Sequence, residues 1–214
     1  MEIKRLVLIP VVTLLFLLTS VPIIGCNDSS VEHAKRADEL AAEGRGDEAI
    51  AELNKAIKLD PKNYLAYYNR GVAYNKKGQL DLAIADFSKT IELNPTNDLA
   101  YYNRGNAHNN KEQFDLAIAD YSKAIKLDPT FVSAYNNRGY AYNKKGQVDL
   151  AIADYSNAIE LDPQHAMAYY NRGVAYSGKG QRELAIADFK MFINLSQDPS
   201  LTKDAKQRLE ELQK

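Results

Sequence analysis

The amino-acid sequence predicts an all-α protein, a solenoid of about five helical hairpins that is closed by one more helix at its C-terminus. The first observation is a period of 34 residues, which brings the chain into register with itself from residue 30 onward. The second is the recurrence, in four consecutive periods, of the segments AYYNRG or AYNNRG and AIADF or AIADY. The third is that small and aromatic residues in these segments share single helical faces. Such units bury their apolar faces by stacking on their neighbours.

The first 25 residues have the composition of a targeting segment. Lys4 and Arg5 precede an apolar stretch over residues 6–24, which is followed by Gly25 and by Cys26, the one cysteine of the chain. The run IIGC at 23–26 resembles the lipobox of bacterial lipoproteins. This resemblance implies that the chain is cut before Cys26, that this cysteine is acylated, and that the mature protein is tethered to a membrane of the bacterial cell envelope.

Two other interpretations of this segment stay open. Residues 6–24 would just span a hydrocarbon core of ~30 Å, as an uncut transmembrane helix, although Pro10 and Pro22 disfavour one. Cys26 would otherwise be a buried core residue. Both membrane interpretations place residues 27–214 outside the cytoplasm. After a short tether at 26–29, Ser29 and Glu32 have the spacing of a capping box, which predicts a helix start there.

Five copies of the repeat follow the tether, the first more diverged than the rest: 30–63, 64–97, 98–131, 132–165 and 166–199. Aromatic residues at repeat positions 4 and 24, small residues at 8, 20 and 27, and proline at 32 resemble the tetratricopeptide-repeat (TPR) family. The resemblance implies two antiparallel helices per repeat, stacked as a right-handed superhelix whose first helices line a concave groove. Because the repeats occupy the chain up to a final helix, no room remains for a catalytic domain. We therefore expect no enzyme and no cofactor.

Glycine recurs at position 8, inside the first helix of four repeats, as Gly71, Gly105, Gly139 and Gly173. A glycine within a helix costs ~1 kcal/mol relative to alanine. Four in register therefore predict that the second helix of each hairpin approaches too closely to leave space for a side chain.

Charged residues recur where neighbouring repeats are expected to meet. Arginine stands at position 7 and aspartate at position 23 in four repeats, and Arg36 and Glu52 are the counterparts in the first. A charge in a tight seam is tolerated only with a partner, which predicts an internal arginine–aspartate ladder. The alternative is that both residues are ordinary surface charges.

The remaining face of each first helix is not expected to be required for contacts within the protein. Its predicted groove residues are Asn69, Asn103, Asn137 and Asn171 at position 6, with Tyr68, Tyr102, Tyr170, Asn106, Tyr140, Lys76 and Lys144 beside them. An amide donates and accepts, so it can pair with any peptide backbone, and the TPR resemblance implies that these asparagines contact a bound extended peptide. The two lysines favour an acidic segment or a free carboxylate. The alternative is that duplication of one ancestral repeat copied this asparagine along with the rest, although it has no function.

Several positions depart from the repeat. Glu112 replaces a glycine that is expected to have a positive φ, and His108 replaces a tyrosine and is expected to be a core histidine with a satisfied ring nitrogen. Repeat 5 has Gln197 in place of proline, which predicts an irregular end. Asp198 and Pro199 then open the capping helix, residues 200–214, whose apolar stripe covers the end of the solenoid.

With a formal net charge of −1, the chain lacks the excess of basic residues that is typical of a nucleic-acid-binding protein. Two functions remain. The first is an envelope adaptor that binds peptide segments of other envelope proteins in the groove. The second is a self-associating assembly factor without a peptide ligand. The sequence leaves the oligomeric state, the membrane and the partner's identity open.

Overall fold

The computed structural model describes residues 26–214, with side chains described from residue 29. The predicted signal segment at 1–25 and the side chain of Cys26 lie outside these described residues. Within them the chain forms eleven α-helices and no β-strand: α1 Cys26–Ala42, α2 Gly46–Leu59, α3 Tyr64–Lys76, α4 Leu80–Leu93, α5 Asp98–Asn110, α6 Phe114–Leu127, α7 Val132–Lys144, α8 Val148–Leu161, α9 Ala166–Gly178, α10 Arg182–Leu195 and α11 Pro199–Leu212. None of the helices in this part of the chain has the length and apolar character that crossing a membrane requires.

The helices form five consecutive hairpins, α1–α2 to α9–α10, and α11 packs on the last of them. Each second helix also contacts the first helix of the next hairpin, and successive first helices touch one another. Alanines at positions 3 and 20, such as Ala66, Ala83, Ala100 and Ala117, are fully buried. The predicted all-α solenoid of five hairpins and a capping helix is confirmed.

The close approach at position 8 is confirmed as well. A Cβ atom added to Gly105 would stand 2.8 Å from Cε1 of Tyr121, and one added to Gly71 would stand 2.8 Å from Cε1 of Phe87. Both rings are fully buried at position 24 of the second helix. The glycine therefore leaves the space that the aromatic ring of the same hairpin occupies.

The start of α1 corrects one prediction. The helix begins at Cys26, so residues 26–29 form its first turn rather than a tether, and Ser29 lies within the helix instead of capping it. The physical reason is that the i to i−4 hydrogen bonds of a helix that begins at Cys26 already engage the amide that Ser29 would cap. The next residue, Ser30, has a buried hydroxyl that donates to the carbonyl oxygen of Ala56 at 3.0 Å and accepts from Nδ2 of Asn63 at 3.0 Å, so it joins α1 to α2 and to the N-cap of α3.

The turns between paired helices confirm the prediction for Glu112. Gly44, Gly78, Gly146 and Gly180 have φ values of 71° to 77°, and Glu112 has a φ of 57°. A left-handed conformation costs a residue with a Cβ ~1 to 2 kcal/mol. The turn of the third hairpin therefore stores strain.

The C-terminal end also follows the prediction. Ser196, with φ −75° and ψ 136°, ends α10 in extended backbone. The Asp198 carboxylate then accepts the amides of Ser200 at 2.8 Å and Leu201 at 3.1 Å, and Pro199 is the first residue of α11. Ala205 is fully buried, and Leu201 and Leu212 pack on the core of the last hairpin. The capping helix therefore covers the end of the stack.

Candidate functional site

Four ion pairs, one within each hairpin of repeats 2 to 5, form a ladder along the stack, and each arginine also bonds to the preceding repeat. Arg104 donates from Nε and Nη2 to the two carboxylate oxygens of Asp120 at 2.8 and 2.7 Å, and from Nη1 to Oγ of Ser88, in the preceding repeat, at 3.0 Å. The same arrangement recurs at Arg70, Arg138 and Arg172 with Asp86, Asp154 and Asp188. The four aspartates are buried. The ladder is confirmed in repeats 2 to 5.

The ladder does not continue into repeat 1, and the predicted pairing of Arg36 with Glu52 is wrong. Arg36 contacts Glu39 at 3.5 Å, one turn along its own helix. Glu52 accepts from Lys55 at 2.7 Å and lies 2.5 Å from Nδ1 of His33. Arg36 and Glu52 therefore each have another partner and do not pair with one another.

The guanidinium groups of the ladder are held from more than one side. The hydrogen bond to Asp86 raises the pKa of Arg70, and the rings of Tyr67 and Tyr74 lie 5.6 and 5.9 Å from its Cζ. In repeat 3 the second tyrosine is replaced by His108, whose Nδ1 lies 2.7 Å from Oε1 of Gln113. The predicted satisfied ring nitrogen is confirmed, but the His108 side chain is half-buried rather than part of the core.

The position-6 asparagines occupy the first-helix face, which we define by repeat positions 2, 5, 6, 9, 12 and 13. Each donates its Nδ2 to a residue of the preceding repeat. The acceptors are Asp38 for Asn69 at 2.8 Å, Tyr68 for Asn103 at 2.9 Å, Tyr102 and Asn106 for Asn137 at 3.1 and 2.9 Å, and Asn136 for Asn171 at 3.0 Å. The amides therefore form a row of hydrogen bonds between repeats, which sequence reasoning missed. The signal was present, since positions 5 and 6 recur together as tyrosine–asparagine.

This row leaves some hydrogen-bonding groups open. Within residues 29–214 no protein group donates to Oδ1 of Asn69, Asn103 or Asn171. The hydroxyls of Tyr68 and Tyr102 accept from an asparagine, and their own O–H protons have no acceptor there. All five side chains are half-buried. The first-helix face thus presents carbonyl acceptors and hydroxyl donors at intervals of one repeat.

Other predicted groove residues are placed differently. Tyr170 donates its hydroxyl to Asp204 of α11 at 2.6 Å, and Oδ1 of Asn106 accepts from both Tyr121 and Asn137. Their polar groups are thereby engaged within the protein. Tyr140 is exposed, with the Lys144 ammonium 5.3 Å from its ring centre, and Lys76 is exposed at the end of α3.

Clusters of metal-binding side chains and strongly perturbed pKa values are two features that can mark a reactive site. No group of three or more histidine, cysteine, aspartate or glutamate side chains in the described part of the chain could hold a metal ion. The strongest pKa perturbations belong to Tyr121 and Tyr155, whose pKa values are raised by burial in the core. These two tyrosines pack against Gly105 and Gly139 and serve the hairpin contact.

Solved structures with this fold are numerous. MamA shares 32% identity with the chain, over 79% of this chain and 96% of MamA, with a TM-score of 0.72. YrrB, described as a TPR protein with an unusual peptide-binding site, shares 29% identity over 83% of this chain and 92% of YrrB, with a TM-score of 0.71. PilF of Pseudomonas aeruginosa shares the fold alone, with 15% identity over 88% and 86% of the two chains and a TM-score of 0.77.

Family models match most of the chain. A model described as TPR repeat matches residues 37–78 and 139–180, and models described as tetratricopeptide repeat match 64–97, 99–131, 121–153 and 166–199. No similar sequence was found among curated proteins. TPR proteins are scaffolds for protein–protein interaction and are typically not enzymes. The matched repeats, together with the hairpin geometry, establish that this chain belongs to the tetratricopeptide-repeat family.

Proposed function

We propose that this chain is a membrane-anchored scaffold that binds extended peptide segments of other envelope proteins along its first-helix face. The observation that carries the proposal is the row of open acceptors at Asn69, Asn103 and Asn171 and open donors at Tyr68 and Tyr102. An extended peptide presents N–H donors and C=O acceptors along its length, which is the complementary pattern. Support also comes from YrrB, a similar TPR protein described as having a peptide-binding site.

The intramolecular hydrogen bonds of the asparagines suit this role. Because Nδ2 of Asn103 is held by Tyr68, the orientation of the amide is fixed before a ligand arrives. A preorganised side chain loses little conformational freedom on binding. The tyrosine rings add rigid contact area beside each amide. Exposed Lys76 and Lys144 bias the face toward acidic segments.

Anchoring at Cys26 is the second part of the proposal. It rests on the charged, apolar and small-residue pattern of residues 4–26. Since α1 begins at Cys26, an acyl group on this residue would hold the first repeat directly at the membrane. The scaffold would then present its groove to partners in the same envelope compartment.

The peptide function is tested by replacing Asn103 and Asn171 together with alanine. Partners are captured by chemical crosslinking in the native envelope and quantified by mass spectrometry. The matched control replaces Asn157 and Asn194, which are exposed on α8 and α10, with alanine. We expect about a tenfold loss of capture for the first pair, since each hydrogen bond contributes ~0.5 to 1.5 kcal/mol. Undiminished capture by a variant that still shows cooperative unfolding would contradict the proposal.

A row of exposed leucines favours self-association as a second candidate function. Position 19 of four consecutive second helices is Leu82, Leu116, Leu150 or Leu184, and these side chains are 48% to 51% exposed. Repeated apolar side chains on one surface are typical of a contact with another protein. A second copy of the chain would present the same row at the same spacing.

Sedimentation of the purified chain over a range of concentrations tests this candidate. Self-association predicts an oligomer that weakens when Leu116 and Leu150 are replaced with glutamine, but not when Leu59 and Leu161, exposed leucines outside the row, are replaced. A monomer at every concentration contradicts self-association and leaves the peptide function intact.

A further inference from the structure

We propose that a pocket between repeats 1 and 2 holds one large apolar side chain of the bound peptide, next to an acidic residue of the same peptide. The inference rests on the proposed peptide-binding function and specifies which segments that function selects. The pocket has a volume of about 390 Å³, near the lower end of the ~300 to 1,000 Å³ typical of ligand sites. The volume has room for one large side chain, and Asn69 of the first-helix face lines the pocket, so a peptide bound along that face would place a side chain at its opening.

The floor of the pocket is apolar. Ala37, Ala49 and Leu53, at its base, are at most 2% exposed, and Ala41 and Val72 line its walls. The base is thus continuous with the core of the first hairpin. An apolar side chain entering the pocket would leave water and meet a preformed surface, which is the favourable case for hydrophobic binding.

The pocket exists because repeat 1 has smaller residues than its neighbours at corresponding positions. Position 17 is Gly46 there and Leu80, Phe114, Val148 or Arg182 in the other repeats. No atom lies within 4 Å of the place where a Cβ of Gly46 would stand. Position 24 is Leu53, where the other repeats have a phenylalanine or a tyrosine. The opening is therefore a specific feature of this end of the solenoid.

Charged residues at the rim of the pocket indicate which type of peptide residue would lie beside the apolar side chain. Lys77 is paired with Asp47 of the first hairpin. Lys76 is exposed and has no acidic partner in residues 29–214. A carboxylate of the peptide on this side of the pocket would neutralise Lys76. On the other side Asp38 accepts from Asn69 through Oδ1, which leaves Oδ2 to accept a peptide N–H.

The pocket is continuous with the proposed peptide path. Asn69 lines the pocket and is also the first of the four position-6 asparagines. A peptide that pairs with Asn103 and Asn69 would therefore reach the pocket without leaving the first-helix face. The row would contribute backbone recognition, and the pocket would contribute selectivity for a side chain.

The test selects ligands from a phage-displayed library of random twelve-residue peptides, with the full chain in mild detergent as bait. We expect enrichment of leucine, phenylalanine or methionine next to aspartate or glutamate. Affinities of the selected peptides are then measured by fluorescence anisotropy. Gly46→Leu, which copies Leu80 at the same position of repeat 2, should fill the pocket and weaken binding about ten- to a hundredfold. Ala41→Leu, a second filling variant from the opposite wall, should act in the same direction.

Two controls separate the pocket from general effects. Ala153→Leu makes the same change as Ala41→Leu at an exposed position of α8, outside the first-helix face, and should leave affinity unchanged. Lys76→Ala should lose the preference for acidic residues and keep the preference for the apolar side chain. Thermal unfolding of each variant confirms that it folds.

The outcomes distinguish this inference from the proposed function. Selected peptides that lack the apolar–acidic pair, or that bind both filling variants as tightly as the unmodified chain, overturn the pocket proposal and leave peptide binding in place. A library that yields no binding peptide overturns both.

Discussion

At the scale of single residues, the position-7 arginines connect contacts within a repeat to contacts between repeats. Arg104 pairs with Asp120 of its own hairpin and with Ser88 of the preceding one. Removal of one such side chain therefore affects both the hairpin and its stacking. The buried carboxylate makes the arginine necessary, because an unpaired charge in the seam would lose its hydration without compensation.

Replacing Arg104 with methionine should lower the free energy of unfolding by about 2 to 4 kcal/mol, somewhat less than a fully buried pair would predict, because the arginine side chain is 22% exposed. Urea unfolding followed by circular dichroism measures the change. Arg182→Met, at an exposed arginine of α10 without an ion pair in the described residues, is the control and should change little. Adding Asp120→Asn to Arg104→Met should recover part of the loss. Equal effects at Arg104 and Arg182 would contradict the ladder's contribution.

The strained turn at Glu112 gives a prediction of opposite sign. Glu112→Gly should raise the free energy of unfolding by about 1 kcal/mol, because glycine adopts the positive φ of 57° without steric cost. The reciprocal change, Gly146→Glu at the same position of repeat 4, should lower it by a similar amount. The same urea titration tests both variants. A glycine at 112 that leaves stability unchanged would show that the turn relaxes at no cost.

Sequence reasoning at this scale succeeded where one residue type had one acceptable environment. Arginine and aspartate in a seam of alanines required each other, and the glycine at position 8 required a close neighbour. The asparagine row was missed, because an amide is compatible with solvent, ligand or protein partners. Whether Asn103 meets Tyr68 depends on the offset between stacked repeats, which the periodicity of one helix does not fix. The pocket at Gly46 was missed because it arises from several small residues in different elements.

At the scale of elements, the two ends of the stack show how local signals compete with tertiary contacts. The capping signal of Asp198 and Pro199 is realised, since the following amides have no other partner nearby. The similar signal at Ser29 is not, because α1 begins three residues earlier and its own i to i−4 hydrogen bonds engage the amide that Ser29 would cap. A capping motif marks a helix start only where the amides it would bond have no partner within the helix.

The contact between α11 and α9 should depend on pH. Tyr170 and Arg208 hydrogen-bond to Asp204 and lower its pKa below the ordinary value of 3.8. A lowered pKa in the folded state means that the stabilisation is present at neutral pH and is lost as the pH falls through the folded pKa. Because the Asp204 side chain is 41% exposed, we expect only about 0.5 kcal/mol.

Hydrogen-exchange protection of α11 measures this effect. Protection should be lower in Asp204→Asn than in the unmodified chain at pH 7, and the difference should disappear only below pH 3.8. Tyr170→Phe removes one of the two partners and should cause a smaller loss at neutral pH. A difference that persists unchanged in acid would show that Asp204 holds the helix by packing rather than by its charge.

At the scale of the whole molecule, the solenoid is a one-dimensional stack in which each hairpin contacts its neighbours. Its C-terminal end is covered by α11. Its N-terminal end is α1, which begins at Cys26, the residue proposed to be acylated. The pocket at Gly46 lies between the first and second hairpins, so the most selective part of the proposed peptide site would be at the anchored end of the stack.

Processing at Cys26 is the prediction on which this arrangement depends. In the native host, the unmodified chain should begin at Cys26 by N-terminal mass spectrometry and should incorporate an alkyne-labelled fatty acid. Cys26→Ser should lose the label and retain residues 1–25, because the cut requires the cysteine in the lipobox that this segment resembles. Ser29→Ala, three residues away, should change neither result. An uncut transmembrane anchor predicts instead that the unmodified chain and Cys26→Ser both keep residues 1–25 and that neither is labelled. In that case the first repeat would still be attached to the membrane, but by an apolar helix of residues 6–24 rather than by acyl chains on the first turn of α1.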